Sequence, residues 1–145
     1  MYRHILVATD GSELAGKAVE QGLALGKGLG SKVTIVVVTE PWTAIAPGEI
    51  GLAFPVADYE KGASEHANGI LSAAKQQANA AGVKAEALHV RDRFPADGIL
   101  EAAKSQGCDL IVMASHGRRG VARLLIGSQA NRVVIDSTMP VLICK

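Results

Sequence analysis

Five short apolar runs separated by helical stretches constrain the fold of this chain more than any other feature. Residues 5–8, 33–38, 85–90, 109–114 and 140–144 read as strands. The first, second and fourth lack the alternation of a half-exposed strand, which suits strands covered on both faces. The first helical stretch spans 13–29, with Leu14, Ala18, Leu25 and Leu29 as its apolar face and Gly30 as its stop. Asp10 with Glu13 fits a capping box there, and Ser12 is an alternative N-cap. Gly22, Gly26 and Gly28 each weaken this helix by about 1 kcal/mol relative to alanine, a cost that close packing on a sheet would explain. A long Ala-rich helix spans 59–81 and ends at Gly82, with Ala63, Ala67, Ile70, Leu71, Ala74 and Ala78 near one face. A third helix opens at Pro95 and ends at Gly107, and a fourth covers 129–136.

Five strands alternating with four helices imply an α/β chain: one domain over residues 1–145, a doubly wound five-stranded parallel sheet with helices on both faces. Ligands in such sheets sit beyond the carboxyl ends of the strands, where strand order reverses. Orders 2-1-3-4-5 and 3-2-1-4-5 both fit the alternation. In the second, strands 1 and 4 are neighbours at the switch point. The two loops best equipped for an anion follow those strands, which favours 3-2-1-4-5. One is Thr9-Asp10-Gly11-Ser12. The other is the stretch 114–128, ASHGRRGVARLLIGS, which leaves a strand, passes through glycines and arginines, and opens a helix after Gly127-Ser128. Strand, glycine loop and helix N-terminus together present backbone N–H groups to an anion.

Composition narrows the function classes. Net charge is +1, so nothing global attracts nucleic acid or membrane. Aromatics are 3%, too few for a base-stacking nucleic-acid surface. No apolar stretch approaches a membrane span and the chain opens on a strand-like run, so the expectation is a cytoplasmic protein. Cys108 and Cys144 have no CxxC context and read as reduced core thiols. His4, His66 and His89 are scattered without metal-ligand spacing. Residues 41–57 read as a long irregular segment with Pro41, Pro47, Pro55, Gly48 and Gly51 among Trp42, Ile45, Ile50, Leu52 and Phe54. Such a segment either covers something or folds its own apolar side chains inward.

Three pieces resemble the universal stress protein family: the opening Ile5-Leu-Val-Ala-Thr-Asp-Gly-Ser12, the stretch Met113-Ala-Ser-His-Gly-Arg-Arg-Gly120 leading to Leu125-Ile-Gly-Ser128, and the closing Met139-Pro-Val-Leu-Ile143. With the length and element order, the likeness runs along the whole chain. It implies the adenine-nucleotide-binding type of doubly wound fold with order 3-2-1-4-5, a homodimer, and binding of ATP with Mg²⁺ in a regulatory role in stress response. Nucleotide-binding members carry glycine, two residues, glycine, nine residues, glycine, then serine or threonine. Gly117, Gly127 and Ser128 fit, but Ala114 stands where the first glycine belongs. Its extra methyl is either tolerated or weakens the site. By the same likeness Asp10 contacts the nucleoside and Val38 meets the base through its backbone. Gly117, Gly127, Ser128 and Gln129 hold the phosphates. Ala8, Thr9, Met113, Ala114, His116 and Arg118 complete the nucleotide-binding set.

Each residue also has a plainer reading. Asp10 and Ser128 serve as helix caps, the glycines as turns, and Arg118, Arg119 and Arg123 as a solvated basic loop. His116 has no carboxylate or serine partner evident in the sequence and reads as turn chemistry or a hydrogen-bonding role. An apolar edge strand, Val141-Leu-Ile-Cys144, invites pairing with the same strand of a second chain. Enzymatic chemistry has little support: there is no GxxxxGK[ST] loop, no SGGxDS loop, and no base paired with a nucleophile. The expectation is a non-enzyme, at most a slow ATPase. The alternative is a nucleotide-independent stress or interaction protein of the same fold.

Overall fold

Strand order is settled by hydrogen bonding. The computed structural model describes residues 1–117 and 126–145. Arg118, Arg119 and Arg123, predicted as loop cations, lie outside the described residues. The elements are β1 (His4–Ala8), α1 (Glu13–Leu29), β2 (Lys32–Thr39), α2 (Trp42–Ile45), α3 (Glu49–Ala53), α4 (Val56–Ala80), β3 (Ala85–Arg91), α5 (Pro95–Ser105), β4 (Leu110–Ala114), α6 (Ser128–Asp136) and β5 (Val141–Cys144). All five strands run parallel in the order β3-β2-β1-β4-β5. Of the two orders the alternation allowed, the one that makes β1 and β4 neighbours is the one formed.

The unbroken apolar runs result from burial on both faces. Along β1, Ile5 and Val7 face the α1 and α4 side, joined by Val33, Ile35, Leu110 and Val112. Leu6 and Ala8 face α5 and α6 with Val36, Ile111 and Met113. Each such aliphatic side chain taken from water contributes roughly 1.5–3 kcal/mol. Alternation within the strand is therefore real, but both sides are core, and the sequence shows no polar face.

Glycines on α1 set its distance from the sheet. A Cβ on Gly22 would stand 2.5 Å from Val7 Cγ2, and one on Gly26 2.5 Å from Val33 Cγ2. Gly28, expected from sequence to pack in the same way, faces open space. The buried face of α1 is Ala15, Ala18, Val19, Gly22, Leu23 and Gly26. This corrects the predicted face: Leu14 and Leu25 pack only at its margin and Leu29 is exposed. Gly22 and Gly26 let the helix approach the sheet, Val19 and Leu23 fill the space beside them, and Leu14 and Leu25 flank the contact.

The helix starts also need correction. Ser12 caps α1, its Oγ accepting from Ala15 N–H at 3.3 Å, so the Asp10–Glu13 capping box does not form. Gly127, not Ser128, is the N-cap of α6, and Ser128 is its first residue. Residues 41–57 are not irregular throughout. They hold α2 and α3, and α4 begins at Val56 instead of residue 59. Pro41 and Pro55 stand at the N-cap positions of α2 and α4, where a missing N–H costs nothing. They open helices where they read as breakers. Of the two readings of this segment, inward folding does not hold for Ile50, Leu52 and Phe54, which are all exposed.

Candidate functional site

The carboxyl ends of β1 and β4 converge at the point where strand order reverses. After β1, Thr9 N–H donates to the Val36 carbonyl at 3.0 Å, so the chain stays tied to β2 one residue beyond the strand. The loop then turns on side chains: Gly11 N–H donates to Thr9 Oγ1 at 3.2 Å, and Ser12 N–H to Asp10 Oδ1 at 2.9 Å. Asp10 is thereby locked by its own turn, and Gly11 adopts φ 80°. The other carboxylate oxygen, Oδ2, abuts the second loop: a Cβ on Gly117 would lie 2.5 Å from it. The two loops meet here, and a side chain at 117 would displace the Asp10 carboxylate.

Beyond β4, Ser115 N–H donates to the Cys144 carbonyl at 2.8 Å, and the Ser115 carbonyl accepts from Gly127 N–H at 2.6 Å. A Cβ on Gly127 would stand 3.0 Å from that same oxygen. A Cβ at either glycine of the spacing would crowd this junction, Gly117 against the Asp10 carboxylate and Gly127 against the Ser115 carbonyl. Ser115 Oγ lies 2.7 Å from His116 Nδ1, so His116 has the serine partner that was not evident in sequence. The signal is hard to read along the chain because adjacent residues rarely face each other in a strand, and here the strand has just ended.

The N-terminus of α6 faces this crevice region. Helix geometry leaves its first N–H groups without intrahelical acceptors and places about half a positive charge there. Ser128 lies on the first turn, with Gln129 beside it. The Gln129 side chain is committed elsewhere: its Oε1 accepts from Ala96 N–H at 3.0 Å, joining the first turns of α6 and α5. Its backbone N–H, on the first turn of α6, is the group placed for the predicted phosphate role. Arg132 supports the same junction, donating to Asp97 at 2.7 Å.

Val38, predicted at the base, sits near the end of β2, with its side chain against α5. A Cβ on Gly98 would lie 2.6 Å from Val38 Cγ1. Ala8, Thr9, Met113 and Ala114 are buried at the strand ends. Ala114 belongs to the core on the α1 side, together with Cys144. Its methyl points away from the face that carries α6. The departure from glycine at this position therefore puts no side chain toward the α6 N-terminus. Arg118 lies outside the described residues. Among them, no cluster of three His, Cys, Asp or Glu side chains suited to a metal occurs.

Two other features flank the site. A groove of about 470 Å³ runs between α1 and α4, lined by Ser12, Gly16, Glu65, His66 and Gly69 among others. It lies on the sheet face opposite α6 and shares only Thr9, Gly11 and Ser12 with the crevice loops. Cys108 and Cys144 are both buried free thiols, and burial pushes the Cys108 thiol up to about 11 and that of Cys144 in the same direction. Neither is a nucleophile at neutral pH. No helix among the described residues is long and apolar enough to cross a membrane.

Comparison with known proteins agrees with this fold. The model of the universal stress protein family matches residues 1–145. Universal stress protein YxiE of Bacillus subtilis is 30% identical, with all of both chains aligned. The solved structure of the protein MJ0577 superposes with a TM-score of 0.85 at 26% identity, over 100% of this chain and 96% of that one. A universal stress protein crystallised in complex with cAMP superposes with a TM-score of 0.71 at 27% identity, over 98% and 95%.

Proposed function

Because the chain belongs to the universal stress protein family, we propose that it binds an adenine nucleotide, ATP with Mg²⁺, as a homodimeric regulatory module of the stress response in the cytoplasm. The observation that carries this reading is the convergence of two loops on the α6 N-terminus, with the Asp10 carboxylate against Gly117 and Gly127 seated on Ser115. A related protein of the family holds cAMP, which supports the adenine part of the reading. Asp10 accepts from the nucleoside hydroxyls. The backbone N–H groups at the start of α6 and the Ser128 hydroxyl take the phosphates. Mg²⁺ enters with the phosphates, which satisfy most of its octahedral demand with water. No residue is assigned to bond-breaking, so any hydrolysis is slow and rests on positioning alone.

Dimerisation is part of the same proposal. β5 is an edge strand, and Leu142 on it is exposed together with Val134 and Ile135 of α6. A twofold pairing of β5 with β5 covers that edge. Light scattering of Leu142→Asp then gives a monomer where the native chain gives a dimer.

Titration of ATP and Mg²⁺ by calorimetry tests the site, beside a Gly117→Val, Ser128→Ala double variant. Binding that the variant loses supports it. A folded native protein that takes up no ATP at millimolar concentration refutes it and favours the nucleotide-independent alternative. That alternative draws on Ala114, whose buried, α1-facing methyl gives it less weight.

A further inference from the structure

Aromatic residues are few in this chain and unevenly placed. There are one Trp, two Tyr and two Phe. Tyr2 precedes β1. The other four gather around the carboxyl ends of β2 and β3. Trp42 opens α2, Phe54 ends α3 as its C-cap, Tyr59 lies in the first turn of α4, and Phe94 is the N-cap of α5. The Trp42 and Tyr59 rings meet with centroids 4.9 Å apart, and Tyr59 Oη donates to the Glu40 carbonyl at 2.7 Å.

Between Pro41 and Pro55, α2 and α3 form a hairpin that rests on α4 through the Trp42–Tyr59 ring contact. Trp42 Nε1 donates to the Gly51 carbonyl at 2.7 Å, and Gly51 packs so closely on the Ala46 carbonyl that a Cβ has no room. Gly48 turns the chain between the two helices at φ 75°. Although the hairpin is internally braced, its apolar side chains stand in water: Ile50 is 66% exposed, Leu52 88% and Phe54 60%. Phe94, on the neighbouring loop, is 46% exposed. Several large apolar groups left uncovered on one small unit mark a surface that meets something.

Tethering at Trp42 keeps the hairpin near the end of β2. Val38, the residue placed against the base in the proposed function, is four residues before Trp42, which limits the separation to about 14 Å of extended chain. A purine offers a flat π-face, the shape that aromatic and apolar side chains cover best. The geometry points to the α2–α3 hairpin as a hinged cover for the base, folding at Pro41 and Pro55 and laying Leu52 and Phe54 on the purine. These two side chains are then binding residues for the base. The inference rests on the adenine-nucleotide reading and adds its recognition of the base.

Trp42 is the sole indole, so its emission reports the hinge directly. ATP with Mg²⁺ is titrated by calorimetry and by Trp42 fluorescence into the native protein, Leu52→Ser and Phe54→Ser. Ribose 5-phosphate serves as the ligand without a base. Both substituted side chains are exposed, so the fold is retained, and urea midpoints verify it. ATP is expected to change the emission and ribose 5-phosphate to leave it unchanged. Each serine is expected to weaken ATP by about three- to tenfold, the effect of losing part of one apolar contact. ATP affinity within twofold of native in both variants overturns the inference and leaves the nucleotide reading standing. No heat of ATP binding in the native protein overturns both.

Discussion

Replacing Gly22 by alanine sets two opposed effects against each other in one methyl group. Alanine favours the helix by about 1 kcal/mol over glycine. The new Cβ, however, would stand 2.5 Å from Val7 Cγ2 and 3.3 Å from Cγ1. Val7 has nowhere to go. It is fully buried, sits on a central strand paired on both sides with β2 and β4, and is stiff about χ1 because it is β-branched. Forcing one methyl into such a core costs about 1–3 kcal/mol, so Gly22→Ala is neutral to about 2 kcal/mol less stable than native. Gly16 lies on the same helix, and a Cβ there would meet nothing within 4 Å. Gly16→Ala should therefore gain up to about 1 kcal/mol. The two variants separate by about 1–3 kcal/mol, or roughly 2–4 °C in Tm for each kcal/mol in a chain of this size. Urea unfolding with an unchanged m-value and a parallel thermal scan read the difference. A Gly22→Ala protein as stable as Gly16→Ala would refute the reasoning, because α1 would then not be held at its distance by Val7.

Specific bonds and buried groups carry three further expectations. Ser12→Ala removes the side-chain cap on Ala15 N–H and should cost about 1 kcal/mol, read as a lower urea midpoint; no shift would mean that the cap is replaced by solvent without loss. Gln129→Ala leaves the Ala96 N–H without its acceptor and should cost about 1 kcal/mol, while Gln129→Glu keeps an acceptor and should retain most of that stability. Burial, with Lys32 beside His4 and Arg91 beside His89, holds both histidines below their usual 6.5. The unfolded chain therefore takes up these protons first as pH falls. Their contribution to stability is complete above about pH 6.5 and is lost as pH falls through the depressed folded values. Urea midpoints should be level from pH 7 to 8 and decline toward pH 5, and His4→Gln should flatten part of that decline; a midpoint unchanged down to pH 5 would count against it.

Much of this architecture was legible in the residues alone because its signals are local. A run such as Ile5-Leu-Val-Ala8 has few ways to bury itself other than as a strand covered on both faces. Gly30, Gly82 and Gly107 all adopt positive φ at the helix ends where they were expected, since only glycine does so without strain. The motif resemblance located Asp10, Gly117 and Gly127 in the same way, as a spacing along the chain.

The face of α4 was legible too, as Ala67, Leu71, Ala74 and Ala78, whereas the face of α1 and the contacts between distant segments required the folded chain. Periodicity placed Leu14, Ala18, Leu25 and Leu29 on the face of α1, but of these only Ala18 is buried, and the helix is turned so that Ala15, Val19, Gly22, Leu23 and Gly26 share the contact. Proline marks a break or a start according to the residues after it, and Pro41 and Pro55 stand at starts. Ala114 read as a defect in a glycine pattern until strand alternation showed its methyl turned into the α1-side core. The pairing of Asp10 with Gly117 joins residues far apart in sequence, and no local preference encodes it. By itself the sequence determined the five strands and the four longer helices, because backbone conformation is chosen within a few residues, while α2 and α3 went unread. Only the tertiary structure decided the strand contacts, the face of α1 and the meeting of the two crevice loops, because those depend on volumes and distances between residues far apart in the chain.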